Sequence, residues 1–221
     1  MDITGITIPG RIEDNLCWKA YSLLQRDFKI PPVHIHLHKL LPTGAGLGGG
    51  SADAAFALRS LDELFQLHLS PTQLSQYASL LGSDCAFFTQ DRAMIGTGRG
   101  ELLQPATISL DGKFIVVVKP DIHISTAEAY SQIVPKKSSP SVREIVETRP
   151  LTEWKDLLLN DFEESAFKRH PSLNVYKKLF YDNGALYASM SGSGSSVFGI
   201  FNHPVELKSK FQGLTYWSGG L

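Results

Sequence analysis

Five glycines fall within seven positions of the stretch Leu41-Pro42-Thr43-Gly44-Ala45-Gly46-Leu47-Gly48-Gly49-Gly50-Ser51-Ala52-Asp53-Ala54-Ala55. A residue without a Cβ admits positive φ and close backbone approach, so several N–H groups here can converge on one anion. The apolar alternation from Val33 to Leu41 reads as a strand entering the turn, and Ala54 to Phe65 as a helix leaving it. The first turn of that helix, near Ser51, adds unpaired N–H donors and the positive end of the helix dipole. The chemistry is that of a phosphate cradle. A flexible linker would not be framed by a strand and a helix, and a plain turn needs only one or two glycines. No lysine follows the glycines, which removes the G-x-x-x-x-G-K-[ST] loop. Gly44-x-Gly46-x-x-Gly49 has the dinucleotide spacing, but Glu63 stands too near, inside the helix, to be that motif's acid.

Two further stretches carry groups suited to a reaction. Gly82-Ser83-Asp84-Cys85-Ala86-Phe87-Phe88 presents a lone acid ahead of an apolar tail. Asp84 is open to two readings, a helix cap or turn residue, and a carboxylate beside a reaction centre. Ser191-Gly192-Ser193-Gly194-Ser195-Ser196 is a second glycine-serine turn, between the strand-like Ala185–Met190 and Val197–Phe201, and it too suits close backbone approach to a ligand. His34, His36 and His38 share one strand face with no acid or cysteine at ligand spacing, so they read as a half-exposed face and not as a metal site.

The elements that must position these groups follow from periodicity and punctuation. Ile3 to Ile8 reads as a strand ending at Pro9-Gly10. Asp14 or Asn15 caps a helix through Leu16, Ala20, Leu23 and Leu24, which Pro31-Pro32 stops. Ser70-Pro71-Thr72 opens a helix over Gln73 to Leu81, and Gly96 to Glu101 is a tight hairpin turn. A second region begins near Leu110 with a buried strand, Lys113 to Lys119, then a helix start at Ser125 or Thr126. Pro135 to Pro140 reads as an exposed loop. Helices follow over Val142–Val146, Trp154–Phe167 and Pro171–Asp182, the last stopped by Asn183-Gly184.

A chain of 221 residues suits one large or two small domains. Its net charge of −1, without basic or acidic blocks, points away from nucleic acid and from an anionic membrane. Cys17 and Cys85 form neither a CxxC pattern nor a disulfide framework, which fits reduced thiols in the cytoplasm. No apolar run approaches a membrane span, and Met1-Asp2-Ile3-Thr4 is not a signal peptide.

With these motifs in place, the chain resembles a known family. Pro42 to Ala55 is similar to the ATP-binding signature of the GHMP small-molecule kinases, which phosphorylate galactose, homoserine, mevalonate and related alcohols. The triple glycine before Ser51, the Leu81–Phe88 stretch and Ser189–Ser196 resemble one branch, whose acceptor is CDP-methylerythritol in the non-mevalonate isoprenoid route. Asp14-Asn15-Leu16 with Lys19-Ala20, and Asn160-Asp161-Phe162-Glu163, are similar to that branch as well. The resemblance implies an α+β fold of two domains. Residues 1–108 would be an incomplete N-terminal, ATP-binding domain of the ribosomal-S5 second-domain type. Residues 109–221 would be a ferredoxin-like C-terminal domain, with the active site between the two.

The resemblance also implies roles. Pro42, Thr43, Gly44, Ala45, Gly46, Leu47, Gly48, Gly49, Gly50, Ser51 and Ala52 would hold ATP, and the Ser51 hydroxyl would contact phosphate or Mg²⁺ besides its other expected role as a helix N-cap. Asp84 falls on the family's catalytic aspartate, which orients or deprotonates the acceptor hydroxyl. Tyr130 falls where an aromatic faces the cytosine, and Ser191, Gly192, Ser193 and Gly194 would close over phosphate and acceptor. One departure stands out. The branch opens with a Lys-x-Asn-Leu motif and an Asp-Gly-Tyr-His segment, neither of which precedes Asp14. The chain is therefore expected to start about fifty residues into such a member, its small size agreeing. The family's catalytic lysine has no counterpart to name. Other readings are a kinase for homoserine or mevalonate, or a nucleotide-binding truncation impaired in catalysis.

Overall fold

The computed structural model describes residues 1–131, 133 and 139–221. Of the expected loop 135–140, only the bend at Ser139 and Pro140 lies within them. The chain forms two compact units, one of Met1–Thr43 with Gly48–Ala106, the other of Gly44–Leu47 with Thr107–Leu221.

In the first unit, β1 (Asp2–Gly5) pairs in parallel with β2 (His36–Lys39), placing Asp2 opposite His36 and Gly5 opposite Lys39. β1 stops short of the expected Ile8. Between the two strands runs α1 (Leu16–Phe28). Asn15 caps it, its side-chain oxygen accepting the Cys17 N–H at 2.9 Å. The helix closes on Lys29 in the left-handed region, before the prolines are reached. α2 (Gly49–Phe65) starts well ahead of the expected Ala54, and α3 (Pro71–Leu81) follows a capping box. In that box Ser70 takes the Gln73 N–H while the Gln73 side chain takes the Ser70 N–H. Ala54, Leu58 and Leu61 lie on one stripe of α2 and meet Ala20 and Leu24 of α1 and Ala78 of α3 in a single apolar core. β3 (Met94–Thr97) and β4 (Leu102–Pro105) form the expected hairpin.

The second unit is built on a four-stranded antiparallel sheet. Its strands are β5 (Phe114–Lys119), β6 (Tyr187–Met190), β7 (Val197–Phe201) and β8 (Thr215–Gly220), in the order β6-β7-β5-β8. The period-2 alternation of strands separates its two faces. Val116, Val118, Ala188, Met190 and Phe201 pack with Leu173 and Phe180 of α8 (Pro171–Asp182). Tyr187 and Ile200 pack with Ile145 of α5 (Val142–Thr148) and Trp154 of α6 (Trp154–Leu157). The short α4 (Thr126–Ser131) precedes them, with Ser125 accepting the Glu128 N–H.

Two expectations need correction. The single helix Trp154–Phe167 is broken into α6 and α7 (Glu163–Arg169), because the Asn160 side chain takes the Phe162 N–H that a continuous helix would bond internally. β8 had no counterpart in the sequence reading, although Thr215-Tyr216-Trp217 are strand-forming residue types.

Candidate functional site

In the first unit the cradle is the head of α2. Gly48 holds φ of +64°, and a Cβ there would sit 2.6 Å from the Phe88 ring, so both the conformation and the space call for glycine. The first internal helical bond runs from the Ala52 N–H to the Gly48 carbonyl at 2.9 Å. The N–H groups of Gly49, Gly50 and Ser51 come before it and have no acceptor among the described residues. A Cβ at Gly50 would meet nothing within 4 Å, so the approach to these donors is open. They open a helix of seventeen residues, which directs its positive dipole end to the same place.

Ser51 is not the N-cap; Gly48 is. Ser51 lies in the first turn, its hydroxyl beside the Cys85 thiol. Burial raises the Cys85 pKa, and the Ser51 contact opposes that rise. The contact seats the Gly82–Phe88 stretch beside the cradle. Asp84 stands in the turn after α3, exposed, with no hydrogen bond or ion pair among the described residues. It therefore caps nothing. Its Oδ1 lies 3.5 Å from where a Cβ on Gly100 would be, against the β3–β4 turn.

Sequence reasoning missed Lys39. Its side chain is 3% exposed and its ammonium lies 2.5 Å from Asp53 Oδ2, while a Cβ on Gly49 would be 3.3 Å from the same nitrogen. A lysine thus stands at the cradle although none follows the glycines. The available signal was a cation closing a strand of alternating histidines and apolar residues, fourteen residues before an acid in a helix's first turns. The pair also acts on Cys17, whose thiol is pushed up to about 11, first by burial and then by the Asp53 charge, with Lys39 opposing.

In the second unit, Gly44–Leu47 is seated on the Ser191–Ser196 turn. The Ser191 hydroxyl donates to the Gly46 carbonyl at 2.7 Å, and the Ser196 N–H to the Ala45 carbonyl at 3.1 Å. A Cβ on Gly46 would overlap the Ser191 carbonyl oxygen. The His123 ring packs against Gly44, a contact that no sequence pattern announced. Tyr130, Ser191 and Gly192 line one cavity of about 860 Å³, with Asn160 and Met190 at the same wall and Trp154 and Tyr187 among its apolar lining. Tyr130 is 61% exposed and meets Phe162 edge-on at 5.0 Å, so it is not a core aromatic. Ser193 and Gly194 do not line the cavity. The Gly194 N–H is instead bonded to the Ser191 carbonyl at 2.9 Å.

An open helix head able to hold an anion, with an unengaged carboxylate on an adjoining turn, is equipment for phosphoryl transfer. Residues 15–92 match the model of the GHMP kinases N terminal domain, and residues 141–214 that of the GHMP kinases C terminal. The chain belongs to the GHMP kinase family of small-molecule kinases. A more particular likeness lies within it. The 4-diphosphocytidyl-2-C-methyl-D-erythritol kinase of Bacteroides fragilis is 50% identical over 199 residues, covering 90% of this chain and 72% of that protein. Its namesake in Parabacteroides distasonis is 45% identical over 220 residues, covering 99% of this chain and 81% of that one. A solved 4-(cytidine 5'-diphospho)-2C-methyl-D-erythritol kinase superposes with TM-score 0.77 at 28% identity, over 99% of this chain and 80% of that chain. A homoserine kinase from Cytophaga hutchinsonii superposes as well, at TM-score 0.78 over 99% of this chain and 80% of that chain, but its 16% identity speaks only for the shared fold.

Proposed function

We propose that this chain catalyses the ATP-dependent phosphorylation of the 2-hydroxyl of 4-diphosphocytidyl-2-C-methyl-D-erythritol, a cytoplasmic step of the non-mevalonate isoprenoid route. The observation that carries this reading is the 45–50% identity, over 90% or more of the chain, to relatives that bear that name. In the reaction the acceptor oxygen bonds to the γ-phosphorus, the bond to the bridging oxygen breaks, and ADP leaves.

Such a transfer is mostly positioning and charge stabilisation. The N–H groups of Gly49, Gly50 and Ser51 bind the phosphates at the head of α2, and Lys39 adds a fixed positive charge beside them. Asp84 accepts the hydrogen of the acceptor hydroxyl. Because a carboxylate is a weak base toward an alcohol, it mainly orients the oxygen and receives the proton late. Tyr130 supplies a face for the cytosine, and Ser191 and Gly192 bound the same cavity.

Among the described residues no cluster of three or more His, Cys, Asp or Glu could hold a metal. That fits Mg²⁺, which takes few protein ligands and arrives on nucleotide phosphates. Ser51, in the first turn of α2, would offer it a hydroxyl oxygen. When bound, Mg²⁺ neutralises phosphate charge. No helix among the described residues is long and apolar enough to cross a membrane.

The test is ADP release and phosphomonoester formation with ATP and CDP-methylerythritol, run beside homoserine and mevalonate. Turnover of the cytidine substrate alone is expected. Preference for either rival alcohol would overturn the assignment.

A further inference from the structure

The Asn160–Glu163 stretch, which closes the break between α6 and α7, spends its polar atoms on the exit of β6. Asn160 Nδ2 donates to the Met190 carbonyl at 2.8 Å and to the Gly192 carbonyl at 2.9 Å, while its Oδ1 accepts the Phe162 N–H at 2.9 Å. Carbonyls only accept and an N–H only donates, so no other residue type of this shape meets all three demands. Glu163 is 8% exposed. Its Oε1 accepts the Met190 N–H at 2.8 Å and the Ser189 hydroxyl at 3.0 Å, and its Oε2 accepts the Lys177 ammonium at 2.5 Å. Met190 is thus held at both its N–H and its carbonyl by one short stretch of chain.

That hold reaches beyond the strand. The Ser191 N–H donates to the Ser196 carbonyl at 2.8 Å, which closes the turn, and the two serines then take the carbonyls of Gly46 and Ala45. A stretch serving only the sheet would stop at Met190. Asn160 continues to Gly192, inside the turn, and the residue between them is the one whose hydroxyl fixes Gly46. Hydrogen-bonded groups in a low-dielectric interior lock geometry strongly, and the Ser191 and Ser196 N–H groups and the Ser191 hydroxyl are all bonded here.

We propose that Asn160 and Glu163 are positioning residues for the first glycine segment. They fix the Met190–Gly192 backbone, and through Ser191 and Ser196 that backbone fixes Ala45 and Gly46. The consequence for nucleotide affinity rests on the phosphate-binding reading given above.

Asn160→Asp in the full chain keeps the shape and the acceptor for Phe162, but turns a second oxygen toward two carbonyls. Amide NMR is expected to show displaced Gly44 and Gly46 signals and a Ser196 amide exchanging roughly 10-fold faster or more, with Val116 and Ile200 unmoved. Affinity for a non-hydrolysable ATP analogue falls roughly 10-fold, and KM for ATP rises. Combined with Ser191→Ala, the effect on Gly46 falls short of additive because the two share one path. Unmoved Gly44 and Gly46 signals in a folded Asn160→Asp chain, or a disturbance spread evenly over the sheet, would overturn the proposal. Should that variant not fold, Glu163→Gln takes its place, with a smaller displacement at Gly46 expected and none overturning it. Failure of the unaltered chain to bind the analogue would strike the nucleotide reading alone, since the NMR arm judges the positioning without nucleotide.

Discussion

In the Ser191–Ser196 turn half of the N–H groups and half of the hydroxyls are bonded inside the protein. The N–H groups of Ser191, Gly194 and Ser196 are bonded, and the hydroxyls of Ser191 and Ser195 go to the carbonyls of Gly46 and Ile122. At Gly48–Ser51 the open donors are gathered, for three successive N–H groups stand without an acceptor among the described residues at the head of a long helix, beside a buried lysine. The two turns are alike in composition and opposite in use. A glycine-serine turn whose bonded groups hold the carbonyls of a neighbouring segment is suited to docking backbone on backbone. One that leaves donors open, and adds a dipole and a cation, is suited to an external anion. The Gly44–Leu47 segment belongs to the docking side of this division although it continues into the open one.

The comparison can be broken at several points. The largest effect is expected at Asp84, whose Gly82–Phe88 stretch adjoins the open turn through Cys85 and Phe88. Asp84→Asn should lower turnover by about 10²–10⁴-fold and leave ATP binding nearly unchanged. Steady-state kinetics beside calorimetric titration separates these, and near-normal turnover would remove the carboxylate from the reaction. Gly48→Val comes next. A β-branched residue at φ +64° must also displace the Phe88 ring, so loss of measurable ATP binding should come with a stability loss of about 2–4 kcal/mol in urea melts. This tests the site less cleanly than a change that leaves the backbone alone. Gly50→Ala is that change and the smallest in effect. The added methyl meets open space, so stability should hold or rise by up to about 1 kcal/mol. ATP affinity should nevertheless fall several-fold, because the methyl occupies the approach to the free N–H groups. Unaltered affinity would mean that the first turn faces a ligand no more than the second does.

What the sequence determined by itself were the features whose causes lie within a few residues. The Ser70 capping box, the proline start of α8 and the Asn15 cap set helix boundaries without help from the rest of the chain. The crowding of glycines before a helix announced an anion site for the same reason, since backbone freedom and helix dipole are local properties. Tertiary structure decided what depends on partners far along the chain. It placed Gly48 and not Ser51 at the cap, and it supplied Lys39 to the cradle through a strand whose cation no loop motif required. It broke the Trp154–Phe167 pattern, because Asn160 finds carbonyls at Met190 and Gly192 that periodicity cannot see. It also separated the two glycine turns, since whether an N–H is free or bonded is settled by which carbonyl the fold brings within 3 Å, and composition carries no record of that.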